Sequence, residues 1–192
     1  LESARIARFS TEFVKLNATA PNSLNNPYTS AKDDHQLITL AEAYRPDLIS
    51  FHFGLPNKKI LSALKKLDIP IITSVTNLDD ATLALNAGVD GLIAQGIEAG
   101  GHRATFDADS DYDFASSALT TLELVRRLRP LTSLPIIAAG GIMNGADIAQ
   151  ALSAGADAVQ LGSAFLLCPE SGANQDYRDH VRGARAARTP TT

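Results

Sequence analysis

The sequence is short of cysteine, of net charge and of long apolar runs, and each shortage removes a class of protein. Its 192 residues include one cysteine, Cys168, which leaves no disulfide framework and no cysteine-based metal site. A lone thiol fits a reducing cytoplasm. No apolar run approaches the roughly 18 residues of a membrane-spanning helix, and no stretch reads as a secretory signal. The formal charge is only −4 and no basic stripe is present, which argues against nucleic acid as a partner. The densest cationic stretch, RRLRP at 126–130, closes a helical pattern, where cations complement the helix dipole. The acidic DADSDYD at 107–113 lacks the glycine and glutamate of a calcium loop, with Tyr112 and Ala118 in their places, so it reads as a solvated loop and no metal is expected. Leu1 in place of methionine, and an abrupt end at Thr192, are what part of a longer protein would show.

What is present is globular. Apolar residues at 45% and charged residues at 20% suit one substantial core. From residue 47 onward, short β-rich runs alternate with helical patterns. The runs are DLISFHFG (47–54), IPIITSV (69–75), GLIAQG (91–96), PIIAAGG (135–141) and AVQLGSAF (158–165). Between them lie KKILSALKKL (58–67), LDDATLALNA (78–87), ALTTLELVRRL (118–128) and GADIAQALSA (145–154). Continuous apolar strands belong to parallel sheets buried on both faces, and this alternation predicts an α/β fold.

An internal echo sharpens that prediction. NAGVDGL, starting at 86, resembles SAGADAV, starting at 153, an offset of 67 residues. Both join a helix ending in Ala-Gly to a strand through an aspartate, Asp90 or Asp157, and the offset is about two βα units of roughly 30 residues. Equivalent junctions suit a (β/α)8 barrel, incomplete at its amino terminus because only five strands are clear and eight are needed. A doubly wound open sheet is the alternative. Residues 1–46 read as a polar connecting segment holding a short strand, FVKLN (13–17), and a helix, LITLAEAYR (37–45). Residues 47–192 read as the carboxy-terminal part of the barrel.

The chemistry concentrates after the strands. Gly54, Gly96, Gly140-Gly141 and Gly162 follow strand ends, the active face of parallel α/β folds, where a glycine lets a ligand approach the backbone. Gly140-Gly141 and Gly162-Ser163 are spaced by one βα unit, as in the adjacent loops that bind phosphate in barrels. Neither a dinucleotide fingerprint nor a P-loop is present, so a mononucleotide cofactor fits better than NAD or ATP. AQGIEAGGHRATF (94–106) sets His102 directly after Gly100-Gly101 on the same face. The glycines clear space for a flat ligand, and an imidazole there can exchange a proton with a substrate carbon. His52 reads as a packed strand histidine.

SFHFGLP, AQGIEAGGHRATF, PIIAAGGI and AVQLGSAFLLCPES resemble, in the same order, motifs of the nitronate monooxygenase (2-nitropropane dioxygenase) family, over about residues 47 to 171. The resemblance implies an FMN-dependent barrel enzyme that oxidises alkyl nitronates or nitroalkanes with dioxygen to carbonyl compounds and nitrite, without a metal. It makes His102 the catalytic base and sets Gln95, Gly100 and Gly101 near the flavin ring and ribityl chain. Gly140, Gly141, Gln160, Gly162 and Ser163 become the FMN phosphate loops. Ala104 and Ser163 depart from the glycine and threonine common at those positions in the family. The implied partners are the small-molecule substrate, dioxygen and a second copy of the chain in a homodimer. A flavin-dependent enoyl-acyl-carrier-protein reductase using NAD(P)H shares the Gly-Gly-His and the phosphate loops. A non-catalytic flavin-binding barrel fragment is the alternative from another class.

Overall fold

The computed structural model describes residues 2–23, 30–106 and 118–183. The chain falls into two compact units, residues 1–31 and residues 32–192. The first holds α1 (Glu2–Arg8) and α2 (Ser10–Lys15). The strand expected at 13–17 is therefore helical through Lys15. A lone strand leaves its backbone groups unpaired, whereas a helical turn satisfies them locally. The Glu12–Lys15 ion pair at 2.7 Å adds support at helical spacing. The acidic stretch at 107–113 lies outside the described residues.

The second unit begins with α3 (Gln36–Tyr44), which packs on α4 (Lys58–Lys65). Its centre is a parallel five-stranded sheet of β1 (Ile49–Phe51), β2 (Ile71–Val75), β3 (Gly91–Gln95), β4 (Ile136–Ala139) and β5 (Ala158–Gln160). The strands lie in sequence order, each beside its predecessor. A doubly wound sheet reverses direction at a switch point, and this sheet does not. Sequential parallel order is that of a (β/α)8 barrel, of which five strands are here. Helices α4, α5 (Leu78–Ala87), α6 (Thr121–Leu128) and α7 (Gly145–Ser153) connect them, and α8 (Gln175–Arg182) follows β5. β5 is shorter than its apolar run suggests, because the chain turns into a 3₁₀ turn at Ser163–Phe165.

Helices α4 to α8 each start at a side-chain cap. Asn57 accepts from the Lys59 and Ile60 N–H groups, Asn77 from Asp80, and Thr120 from Glu123. Asn144 and Asp147 form a capping box. The apolar stripes then face inward. Ile60 and Leu64 of α4 and Leu124, Val125 and Leu128 of α6 are fully buried. On the sheet, Ile71, Leu92 and Ile136 are fully buried, and Ile72, Ile93, Ile137 and Ala139 cluster together. Ile93 and Ile137, which pair in register, alternate with Leu92 and Ile136 along their strands, so the two sets lie on opposite faces.

The internal echo is a repeated structure. The Asp90 N–H donates to the Ile71 carbonyl at 2.7 Å, and its carboxylate accepts from the Ile71 N–H at 2.8 Å. Asp157 makes the same pair of bonds with Ile136, both at 2.8 Å. Each aspartate thus staples the start of one strand to the start of the strand before it, at the face away from the glycine-rich loops. Gly88 and Gly155 hold the positive φ, 73° and 109°, that these junctions require. Arg129 closes the second junction, bonding the Asp157 carboxylate at 2.9 Å and the carbonyls of Leu134 and Gly155. The basic stretch at 126–130 therefore contributes Arg126 and Arg127 to the last turn of α6 and Arg129 to this staple.

Candidate active site at the carboxy-terminal ends of the strands

The loops after β3, β4 and β5 enclose a cleft of about 160 Å³. Gln95, Gly100, Gly140, Gly141, Gln160, Gly162 and Ser163 line it, together with Glu98, Ala99, Ala139, Ile142 and Met143. Most of the residues singled out in the sequence thus come together from three separate loops. Gly101 and His102 stand outside its walls, on the adjoining stretch of the β3 loop.

The loops meet through a latch that sequence reasoning missed. Glu98 Oε2 accepts from the Thr121 N–H at 2.9 Å and from its hydroxyl at 3.1 Å. The carboxylate so caps the amino terminus of α6, where a negative charge is favoured. The Thr121 hydroxyl also lies 3.2 Å from the Ala139 carbonyl and 3.0 Å from that of Gly140, which brings the end of β4 to the same point. No side chain fits within this junction. A Cβ on Gly96 would lie 2.1 Å from the Thr121 hydroxyl, one on Gly140 2.8 Å from the Ala99 nitrogen, and one on Gly141 2.9 Å from the Glu98 Cβ. Protein packing thus accounts for these three glycines. Ligand approach remains the reading for Gly162, where a Cβ would meet nothing within 4 Å, and for Gly100, where it would meet only the exposed Ser163 hydroxyl at 3.1 Å.

His102 is solvent-exposed, and the loop around it is held from two sides. From β3, the Gln95 amide donates to the His102 carbonyl at 3.0 Å and accepts from the Ala104 N–H at 2.7 Å. From the β2–α5 turn, the Thr76 carbonyl accepts from Arg103 at 3.1 Å. Asp80 Oδ1 lies 3.4 Å from the Phe106 nitrogen, and Asp80 Oδ2 accepts from the Thr76 N–H and hydroxyl at 3.2 and 2.9 Å. Burial pushes the Asp80 carboxyl above the ordinary aspartate value, against the lowering effects of the Thr76 and Phe106 hydrogen bonds and the Arg103 charge. Gly101, with φ of 83°, makes the turn into His102.

Two further aromatic rings share this face. Phe53, exposed and with φ of 60°, stands edge-on to His102 with ring centroids 6.1 Å apart. His52 is not the packed strand histidine expected. It lies just past the end of β1, exposed, with Nδ1 2.8 Å from the buried Ser74 hydroxyl. Phe51, one residue earlier, is the side chain that turns into the core.

A family model described as nitronate monooxygenase matches residues 7–192. A nitronate monooxygenase from Pseudomonas aeruginosa is 45% identical over 180 residues, which are 94% of this chain and 50% of that protein. One from Paraburkholderia phytofirmans is 43% identical over 192 residues, all of this chain and 51% of that protein. The chain therefore spans about half the length of these curated relatives. Among solved structures, the nitroalkane oxidase from Streptomyces ansochromogenes superposes with a TM-score of 0.79 at 31% identity, covering 97% of this chain and 53% of that one. FabK from Thermotoga maritima superposes with a TM-score of 0.63 at 26% identity, covering 92% and 52%.

Proposed function

Because the chain belongs to the nitronate monooxygenase family, we propose that the protein it forms part of oxidises alkyl nitronates or nitroalkanes with dioxygen, giving a carbonyl compound and nitrite, and that FMN is its cofactor. The observation that carries this reading is the convergence of the β3, β4 and β5 loops on one cleft beside the His102 loop.

The residues present fit a mononucleotide flavin. Gly162 and Ser163 offer an unobstructed backbone and an exposed hydroxyl, the groups that bind a phosphate at the end of a barrel strand. Gly100 and Gly101 present no side chain to a flat ring, and a Cβ at Gly100 would crowd the Ser163 hydroxyl. Gly140, Gly141 and Gln160 complete the wall on the phosphate side. When bound, the flavin supplies the redox chemistry and the route to dioxygen.

The chain's own residues supply position and a proton acceptor. A neutral nitroalkane carries a proton on the carbon next to the nitro group. The His102 imidazole takes that proton, leaving the nitronate ready for oxidation. A pre-formed nitronate needs no such step. The single Cys168 fits a cytoplasmic location for this enzyme.

The test uses the full-length protein. Heat denaturation should release FMN, and addition of a nitronate in air should consume oxygen and form nitrite. Release of FAD would remove the cofactor assignment. Rapid anaerobic flavin reduction by NADH, with no nitrite formed from nitronates, would replace the reading with an enoyl-acyl-carrier-protein reductase. Bound flavin with neither nitronate oxidation nor reduction by NADH would leave a non-catalytic flavin-binding barrel.

A further inference from the structure

Asp80 is the one charged residue buried among the described residues, at 6% exposure, and the proposed chemistry has no use for it. It is the third residue of α5, whose amino terminus Asn77 already caps by accepting from the Asp80 N–H at 2.7 Å. Helix capping therefore does not require the carboxylate. Its two oxygens instead face two different segments. Oδ2 accepts from the Thr76 N–H and from its fully buried hydroxyl. Oδ1 is directed at the Phe106 N–H, 26 residues along the chain. Thr76, held in this way, offers its own carbonyl to Arg103, the residue next to His102. Ala104, between the two anchor points, is 1% exposed. A carboxylate costs free energy to bury, and that cost is partly offset here by hydrogen bonds and by the Arg103 charge.

We propose that Asp80 is a positioning residue for His102, fixing the outer half of the 102–106 loop through Thr76, Arg103 and the Phe106 N–H. The inference rests on the reading of His102 as the base that deprotonates neutral nitroalkanes. Asp80 touches no substrate and acts only through the loop. In water the loop end would sample many placements, whereas general-base catalysis requires the imidazole within hydrogen-bond reach of the proton it removes.

Asp80→Asn in the full-length protein tests this. Asparagine keeps the shape and one acceptor, and loses the charge and the second acceptor. Amide hydrogen exchange at Phe106, whose N–H faces this carboxylate, should accelerate about tenfold or more. Exchange in β3 should be unchanged. Turnover of a neutral nitroalkane should fall about tenfold at equal flavin content, and turnover of the matching nitronate should fall much less. His102→Asn is measured in parallel. Unchanged loop exchange in Asp80→Asn overturns the inference. So does faster exchange with no selective loss on the neutral substrate, when His102→Asn does show that selectivity. If His102→Asn is itself unselective, the base assignment fails, and the exchange data alone then decide whether Asp80 anchors the loop. If Asp80→Asn folds poorly, Asp80→Glu, which keeps the charge and displaces the oxygens, is read by the same criteria.

Discussion

The Ala104 N–H donates to the Gln95 side-chain oxygen at 2.7 Å, and the other end of the same amide donates to the His102 carbonyl at 3.0 Å. One side chain at the end of β3 therefore brackets His102 on its backbone. Gln95→Glu keeps an acceptor for Ala104 and removes the donor to His102, setting a carboxylate oxygen against a carbonyl. An acceptor left facing an acceptor costs about 1–3 kcal/mol. We expect faster amide exchange over residues 102–104 and lower turnover of neutral nitroalkanes, with FMN content close to that of the wild type. If FMN content falls and loop exchange does not change, Gln95 acts as a flavin contact and not as a clamp.

The strands and helices were legible because their signals are local. Buried parallel strands read as apolar runs, and Asn57, Asn77, Thr120 and Asn144 mark helix starts within three residues of the groups they cap. The aspartate staples were visible as a repeat, although their bonds were not. The loop anchors were illegible for a physical reason. Asp80 and Phe106, or Glu98 and Thr121, are more than 20 residues apart, and nothing in either local pattern names its partner. Gly96 and Gly140 illustrate the same limit. A glycine after a strand is expected where a ligand approaches, yet here the approaching group is Thr121 or Ala99. FVKLN misled because β-rich composition suits a strand only when a neighbouring strand is available to pair with it.

Gly162 provides a clean test of the phosphate site, because a Cβ there would meet nothing within 4 Å. Gly162→Asp should fold normally and place a carboxylate beside the proposed phosphate position. Like-charge repulsion and the loss of close backbone approach both oppose binding. Flavin content after purification should drop sharply, while thermal stability of the apoprotein stays near the wild-type value. Full flavin occupancy in the folded variant would move the phosphate elsewhere.

Asp80 should leave a mark on the pH dependence of stability. Its carboxyl lies above the ordinary value of 3.8 in the folded protein, chiefly through burial. The folded state therefore holds this proton more tightly than the unfolded state. The resulting stabilisation is fully present below 3.8 and is lost as pH rises through the folded value. Asparagine at this position does not titrate. The stability of the wild type relative to Asp80→Asn should therefore increase as pH falls from neutrality toward 3.8. Urea denaturation of both proteins across that range measures the difference, and a slope of opposite sign would mean that hydrogen bonds and Arg103 outweigh burial.

His102 decides whether the loop performs chemistry. Its ring is exposed, its backbone is pinned by Gln95, and the Phe53 ring stands edge-on to it at 6.1 Å. His102→Asn keeps a polar group of similar size that cannot accept a proton at neutral pH. The lost ring contact is small, since aromatic pairs contribute about 0.5–1.5 kcal/mol beyond the area they bury, so the fold should survive. General-base catalysis contributes about 10²–10⁴-fold, and turnover of neutral nitroalkanes should fall by roughly that factor. Pre-formed nitronates already lack the proton, so their oxidation should fall much less. Oxygen consumption with both substrate forms, on full-length protein of equal flavin content, separates the cases. Equal losses on both would make His102 a residue that positions substrate and not the base. No loss on either would leave the imidazole an exposed loop side chain, with the anchors at Gln95 and Asp80 serving the fold alone.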